Sequence, residues 1–210
     1  MEQFLTILDS CSAEITEKRS RFIATVAHAE TEEEAFDFIS KIKSQYWDAK
    51  HNVYAFVLSE NNIARYSDDN EPHGTAGKPV LDVLQGKDLK NVVIVVTRYF
   101  GGILLGTGGL VRAYSSSASA VIESAELYAM RSCVSYKIEC EYNQFDIMKN
   151  ILERFSANIT DTVFDTKITV TADFIREVAD EVLETLKNAL NGQITAVYQG
   201  EFFAPFKKSY

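Results

Sequence analysis

Cysteine is scarce in this 210-residue chain: three residues, at positions 11, 133 and 140, with no Cys-x-x-Cys pair. An odd, widely spaced set provides neither a disulfide framework nor a zinc knuckle, and a reducing, cytoplasmic setting is expected. No proline-, glycine- or serine-rich spacer divides the chain, and no low-complexity tract or long repeat occurs. The longest apolar run, Val92–Val96, falls far short of the ~18 residues of a membrane helix, so no membrane partner is expected. Met1-Glu2-Gln3-Phe4 lacks the basic start and apolar core of a secretory signal, so no targeting segment is expected. Positive charge is also in deficit. Lys and Arg total 21 against 30 Asp and Glu, for a net charge of −9. Residues 1–125 hold 12 basic and 17 acidic side chains and the remainder 9 and 13, so neither half is a basic module. Strong non-specific nucleic-acid binding, which rests on many phosphate contacts, is disfavoured.

What remains is ordinary globular composition, 46% hydrophobic and 24% charged, long enough for one large domain or two small ones. One abundance is abnormal: eight of the ten glycines fall between Gly74 and Gly109.

Hydrophobic periodicity divides the chain near residue 130. Alternation over 12–18 and 21–27 predicts paired strands. Thr31 before Glu32-Glu33-Glu34 predicts a capped helix start, continued by Ala35, Phe38, Ile39, Ile42 and Tyr46. Strands are expected over 53–58 and 63–66, then a short helix over 74–84. Residues 91–97, apolar on both faces, read as a central covered strand, followed by a helix over 110–125. The second half predicts strand 133–140, helix 145–155, hairpin strands 158–164 and 167–172, a helix from Val178 to Leu190 stopped by Asn191-Gly192, and strand 194–203. That order is βαββαβ, the ferredoxin-like split sandwich. The expectation is an α+β protein with domains over 1–130 and 131–210.

Candidate chemistry concentrates in the glycine window. A buried strand that runs through Arg98, Tyr99 and Phe100 into Gly101-Gly102, then to Gly108-Gly109 and a helix carrying Arg112, is one way to bind an anion. Glycine admits backbone N–H groups to a phosphate, and the helix N-terminus adds partial positive charge. Arg98, Arg112 and Lys78 would supply cations, and Tyr99 and Phe100 stacking surfaces for bases. The alternative is that the glycines serve a tight crossover by positive φ and close packing. Neither a P-loop Lys-Ser/Thr nor a dinucleotide fingerprint accompanies them. Asp68, Asp69, Glu71 and His73 form a second cluster, an acid/base or metal set in one reading and a solvated turn in the other. With no second ligand set at diagnostic spacing, no metal is expected. His28 and His51 read as partly buried structural histidines, Ser115–Ser117 as close-packing residues, and the cysteines as core. No catalytic residue and no cofactor is expected.

Three segments carry a resemblance: Ser20-Arg21-Phe22-Ile23; Asp68-Asp69-Asn70-Glu71-Pro72-His73-Gly74-Thr75-Ala76-Gly77-Lys78-Pro79; and the stretch from Val95 through Arg98, Gly101-Gly102 and Gly108-Gly109 to Arg112-Ala113-Tyr114. They resemble the Impact/YigZ family over roughly residues 15–125, its Impact N-terminal domain, with the smaller bacterial C-terminal domain over about 135–195. His73 stands where members often carry Ser, and Asn70 where Gly is common. The resemblance implies an N-terminal fold shared with a ribosomal protein and elongation factor G domain IV, and a C-terminal one like domain V. It also implies a link to translational regulation, since eukaryotic relatives act by binding a partner of a stress-responsive kinase.

Three functions follow as expectations. The first is an RNA- or ribosome-associated protein using Lys78, Arg98, Tyr99, Phe100, Gly101, Gly102, Gly108, Gly109 and Arg112. The second is a regulator that binds only a protein, such as a translation factor. The third is a hydrolase-type enzyme acting on a phosphorylated small molecule at the same loop, with Asp68, Asp69 and Glu71 as acid/base or metal-binding groups.

Overall fold

The structure, a computed structural model, describes residues 3–192 and 194–207; the extreme ends of both expected domains lie outside the described residues. The chain forms two units, one of Phe4–Ala129 with Phe206 and Lys207, the other of Met130–Pro205 with Gln3.

β-Branched runs build the first unit around a five-stranded antiparallel sheet. Its elements are β1 (Phe4–Ile7), β2 (Cys11–Glu17), β3 (Ser20–His28), α1 (Glu32–Gln45), β4 (His51–Val57), β5 (Ala64–Ser67), α2 (Gly77–Gly86), β6 (Val92–Tyr99) and α3 (Gly106–Ser124). The sheet order is β2-β3-β6-β4-β5. Central β6 is covered on both faces, as its unbroken apolar run requires. Val92, Ile94 and Val96 pack with Val80, Leu84, Leu110 and Tyr114 of α2 and α3; Val93 and Val95 pack with Ala35, Ile39 and Ile42 of α1. Three layers result: α1, the sheet, and the α2/α3 pair. Thr31 caps α1 as expected, its side chain accepting the Glu34 N–H at 3.2 Å.

The second unit follows the order β7 (Leu127–Cys140), α4 (Phe145–Arg154), β8 (Asn158–Phe164), β9 (Ile168–Ile175), α5 (Ala179–Ala189) and β10 (Thr195–Lys207). β9 lies between β7 and β8, and β10 pairs with β7, the ferredoxin-like arrangement; β1 also pairs with β7, making this sheet five-stranded. The alternating inward residues of β7 and β9 close over Met148, Leu152, Val182 and Leu186 of α4 and α5. β7 begins six residues before its expected start and β10 runs four beyond its expected end.

Three local differences bear on the site. β1 had no sequence signal; it pairs with β7 and also takes a long-range bond from Lys90 N–H to the Leu5 carbonyl at 2.9 Å. α2 starts at Gly77 instead of 74, because residues 68–76 form an ordered turn. α3 starts at Gly106, so Gly108 and Gly109 belong to its first turn and only residues 100–105 form the loop. Each helical glycine costs about 1 kcal/mol against alanine. Close packing compensates at Gly109, where a Cβ would lie 3.0 Å from that of Leu105.

Candidate functional site

Strand register builds the floor of the site. In β6, Arg98 pairs across the sheet with Phe22 of β3 and with His51 of β4, so the three side chains project from one face. It is the face of Ile94 and Val96, which buries Arg98 beneath α3. The turn after β5 returns Glu71 to meet it: Arg98 Nη1 donates to Glu71 Oε1 at 2.5 Å. Tyr114 of α3, whose ring stands edge-on to Phe22 with centroids 5.2 Å apart, donates its hydroxyl to the same oxygen at 2.8 Å. Burial first, and then the charge of Glu71, push the Tyr114 phenol far above its ordinary pKa, so it remains a neutral donor. His51 completes the group. Its Nδ1 lies 2.8 Å from the Asp69 carbonyl, which can only accept, so Nδ1 carries a proton and Nε2 faces Glu71 Oε1 at 3.8 Å.

Above this floor opens a cavity of about 470 Å³ lined by Lys50, His51, Asn70, Glu71, Arg98, Phe100 and Leu104. The Arg98 guanidinium carbon lies 5.4 Å from the ring centroid of Phe22 and 5.7 Å from that of Phe100. Leu104, 83% exposed, forms the outer lip.

The β6 end of the glycine loop is anchored twice. Tyr99 donates to Asp48 at 2.7 Å, and Gly101 N–H donates to Ser20 Oγ at 3.1 Å. Gly101 is obligatory: a Cβ there would lie 2.0 Å from the Arg19 carbonyl carbon in the two-residue turn between β2 and β3. Gly102 is required by its φ of +82°.

The expected acidic cluster divides by task. Asp68 accepts three backbone N–H groups, from Gly74, Ala76 and Gly77 at 2.8, 3.1 and 2.8 Å, and so caps α2 from outside it. Asp69 accepts from Asn52 N–H at 2.6 Å and Lys43 Nζ at 3.0 Å. Glu71 serves Arg98 and Tyr114, while the His73 side chain projects into solvent 3.6 Å from Asp68. Among the described residues no group of three or more His, Cys, Asp or Glu could hold a metal ion. The expected cations divide similarly. Lys78 pairs with Asp82 on the surface of α2, Arg112 is exposed on α3, and neither lines the Arg98 cavity. Arg112 also sits one turn deeper in its helix than expected, because the glycines are helical.

Arg98, expected as an anion-binding cation at the exit of a strand over 91–97, is buried, and a signal for that was present. Positions 94, 96 and 98 share parity in a strand covered on both faces, which places Arg98 in the α2/α3 layer. The partnership with Glu71 and Tyr114 carried no comparable signal. His51, read as structural, belongs to the site. Of the other expected core residues, Ser117 Oγ bonds the Ala113 carbonyl at 2.7 Å, and burial raises the thiol pKa of Cys133 and Cys140, leaving both weak nucleophiles.

Fold and site together define a two-unit α+β protein with a recessed arginine–glutamate–tyrosine site behind a glycine-rich loop of its first unit. Comparison with known proteins gives that class its family. Residues 18–122 match the Impact N-terminal domain, and residues 138–193 a domain of unknown function, DUF1949. The chain is 42% identical over 171 residues to the IMPACT family member YvyE of Bacillus subtilis, covering 76% of this chain and 78% of that one. It is 36% identical over 176 residues to an IMPACT family member of Haemophilus influenzae, covering 82% and 84%. The IMPACT homolog of Saccharomyces cerevisiae is 31% identical over 119 residues, 55% of this chain and 46% of the yeast protein. A crystal structure described as that of a hypothetical protein superposes with a TM-score of 0.61 at 29% identity, over 95% of this chain and 98% of that one. The chain belongs to the IMPACT family. No helix among the described residues is long and apolar enough to cross a membrane.

Proposed function

We propose that this chain is a regulatory protein of the translation apparatus that docks through its glycine-rich loop onto a protein partner, a ribosome-bound translation factor or ribosomal protein. The observation that carries the reading is the loop itself. Phe100, Ile103 and Leu104 stand exposed within five residues of each other, on a backbone anchored by Gly101 against Ser20 and by Tyr99 against Asp48. Exposed apolar side chains on a rigid frame suit a protein interface, with Arg19 and Arg112 as exposed cations of the flanking turn and helix. Membership in a family with eukaryotic IMPACT homologues supports the connection to translation. A protein partner is favoured over RNA because Arg98, the expected phosphate ligand, is buried and neutralised by Glu71, and the chain carries −9 overall.

RNA is the second reading. It draws on Arg112 and on the N-terminal turn of α3, which holds no acidic residue and whose N-cap makes no side-chain bond. Co-sedimentation with ribosomes prepared at low salt, which keep their bound factors, compared with binding to purified rRNA at about 50 and 200 mM salt, separates the two. The docking reading expects ribosome binding that Leu104→Glu abolishes and no binding to free rRNA. Steeply salt-dependent rRNA binding, lost on Arg112→Ala, would replace it with the RNA reading. No co-sedimentation at either salt would reject both.

A further inference from the structure

Arg98 is only partly used by its own protein. Nη1 is committed to Glu71, while Nε is closed to solvent and meets no acceptor among the described residues. A buried donor left without a partner is costly, of order 1–3 kcal/mol, and rare in native interiors. Phe22 and Phe100 lie within cation–π range of the guanidinium. Nη2, which bonds no described residue and is not closed off, is the donor left for an incoming acceptor, and a guanidinium N–H suits a carboxylate oxygen.

The cavity lining sets the charge and character of a ligand. Arg98 and Glu71 cancel, leaving Lys50 as the net positive charge, with no ion pair of its own among the described residues. One uncompensated positive charge matches a monoanion better than a phosphate monoester, which carries between one and two charges at neutral pH. Phe100 and Leu104 supply an apolar wall, Asn70 an amide, and about 470 Å³ lies in the range of small-molecule sites.

We infer that this cavity binds a carboxylate carried on an apolar or aromatic body, the carboxylate lying against Arg98 and Lys50 and the body against Phe100 and Leu104. The same chemistry is offered by a free organic acid and by the C-terminus of a peptide chain. The inference rests on the cavity and not on the docking reading, so either can fail alone.

The test is titration of the isolated protein, followed by methyl and amide NMR shifts at His51, Phe100 and Leu104. The probes are N-acetylphenylalanine, its amide, Gly-Gly-Phe with free and amidated C-termini, AMP and inorganic phosphate. The acids are expected to shift these signals saturably and the amides not at all. Lys50→Ala, an exposed position whose loss leaves the fold intact, is expected to weaken binding about tenfold. Arg98→Lys, if folded, keeps the charge but loses the Nη2 donor and is expected to weaken it further. Tighter binding of Gly-Gly-Phe than of N-acetylphenylalanine identifies a chain end as the source, and the reverse a free acid. Equal response to acid and amide, preference for AMP or phosphate at the same signals, or no shift at millimolar acid would overturn the inference.

Discussion

Glu71 and Arg98, 27 positions apart, meet at 2.5 Å with both side chains more than nine-tenths buried. The pair joins the turn before α2 to the central strand, and Tyr114 ties α3 to the same oxygen. One carboxylate thus holds three elements of the first unit in register. Such a pair is worth little relative to apolar residues of similar shape, yet costs much when only one partner is removed.

Arg98→Met, which leaves the Glu71 carboxylate buried with only a phenol to bond it, is expected to destabilise the protein by about 3–5 kcal/mol. Adding Glu71→Gln removes the stranded charge, so the double variant should be more stable than Arg98→Met alone. Urea unfolding of wild type, both single variants and the double variant measures the coupling. Strictly additive losses would show that the two side chains do not act as a pair.

Tyr114 makes stability depend on alkaline pH. Its phenol pKa is raised on folding, so the contribution is complete below the unfolded value of about 10. It falls as pH rises above that value, where the unfolded chain ionises and the folded one does not. The slope attributable to this residue is about 1.4 kcal/mol per pH unit. Tyr114→Phe should flatten the decline by that amount, while costing roughly 1 kcal/mol at neutral pH through the lost bond to Glu71. Denaturation midpoints from pH 7 to 11 test both statements.

Two adjacent glycines should respond differently to alanine. At Gly101 the added methyl meets the Arg19 backbone, so the hairpin turn or the loop must move, at a cost of about 3 kcal/mol or more. At Gly102 space is open and the cost is the left-handed φ alone, about 1–2 kcal/mol. Melting temperatures of the two variants in that order support the packing account; equal losses contradict it.

Asp68→Ala removes the acceptor for three N–H groups at the start of α2, whose own N-cap, Ala76, has no side-chain acceptor. A loss of about 2 kcal/mol is expected, with Asp68→Asn intermediate. Faster amide exchange at Gly74, Ala76 and Gly77 should accompany it. Unchanged protection there would assign the carboxylate another role.

Elements whose signal lies within a few residues were legible. Thr31 with three glutamates marked the start of α1, and β8 lies at 158–164 as its alternation required. β1 was not legible, because four residues held by β7 and Lys90 have no local period to report. The glycines misled in one respect: propensity argued for a loop through Gly109, but α3 packs tightly enough to continue through them to Gly106.

The candidate site shows the same division. The clustering of glycines and the arginines beside them pointed to residues 68–114, which supply Glu71, Arg98 and Tyr114, whereas Phe22, Lys50 and His51 join them from outside that window. Local pattern also determined the two-domain α+β class and the covered central strand, since hydrophobic period is a property of neighbouring residues. Which acid meets which base was decided only by tertiary structure. Asp68, Asp69 and Glu71 are near-identical in sequence context, yet one caps a helix, one binds a strand and a lysine, and one neutralises a buried arginine. Those roles depend on register across β3, β6 and β4 and on the path of the turn, and in a low-dielectric interior such geometry sets which charges can be buried together.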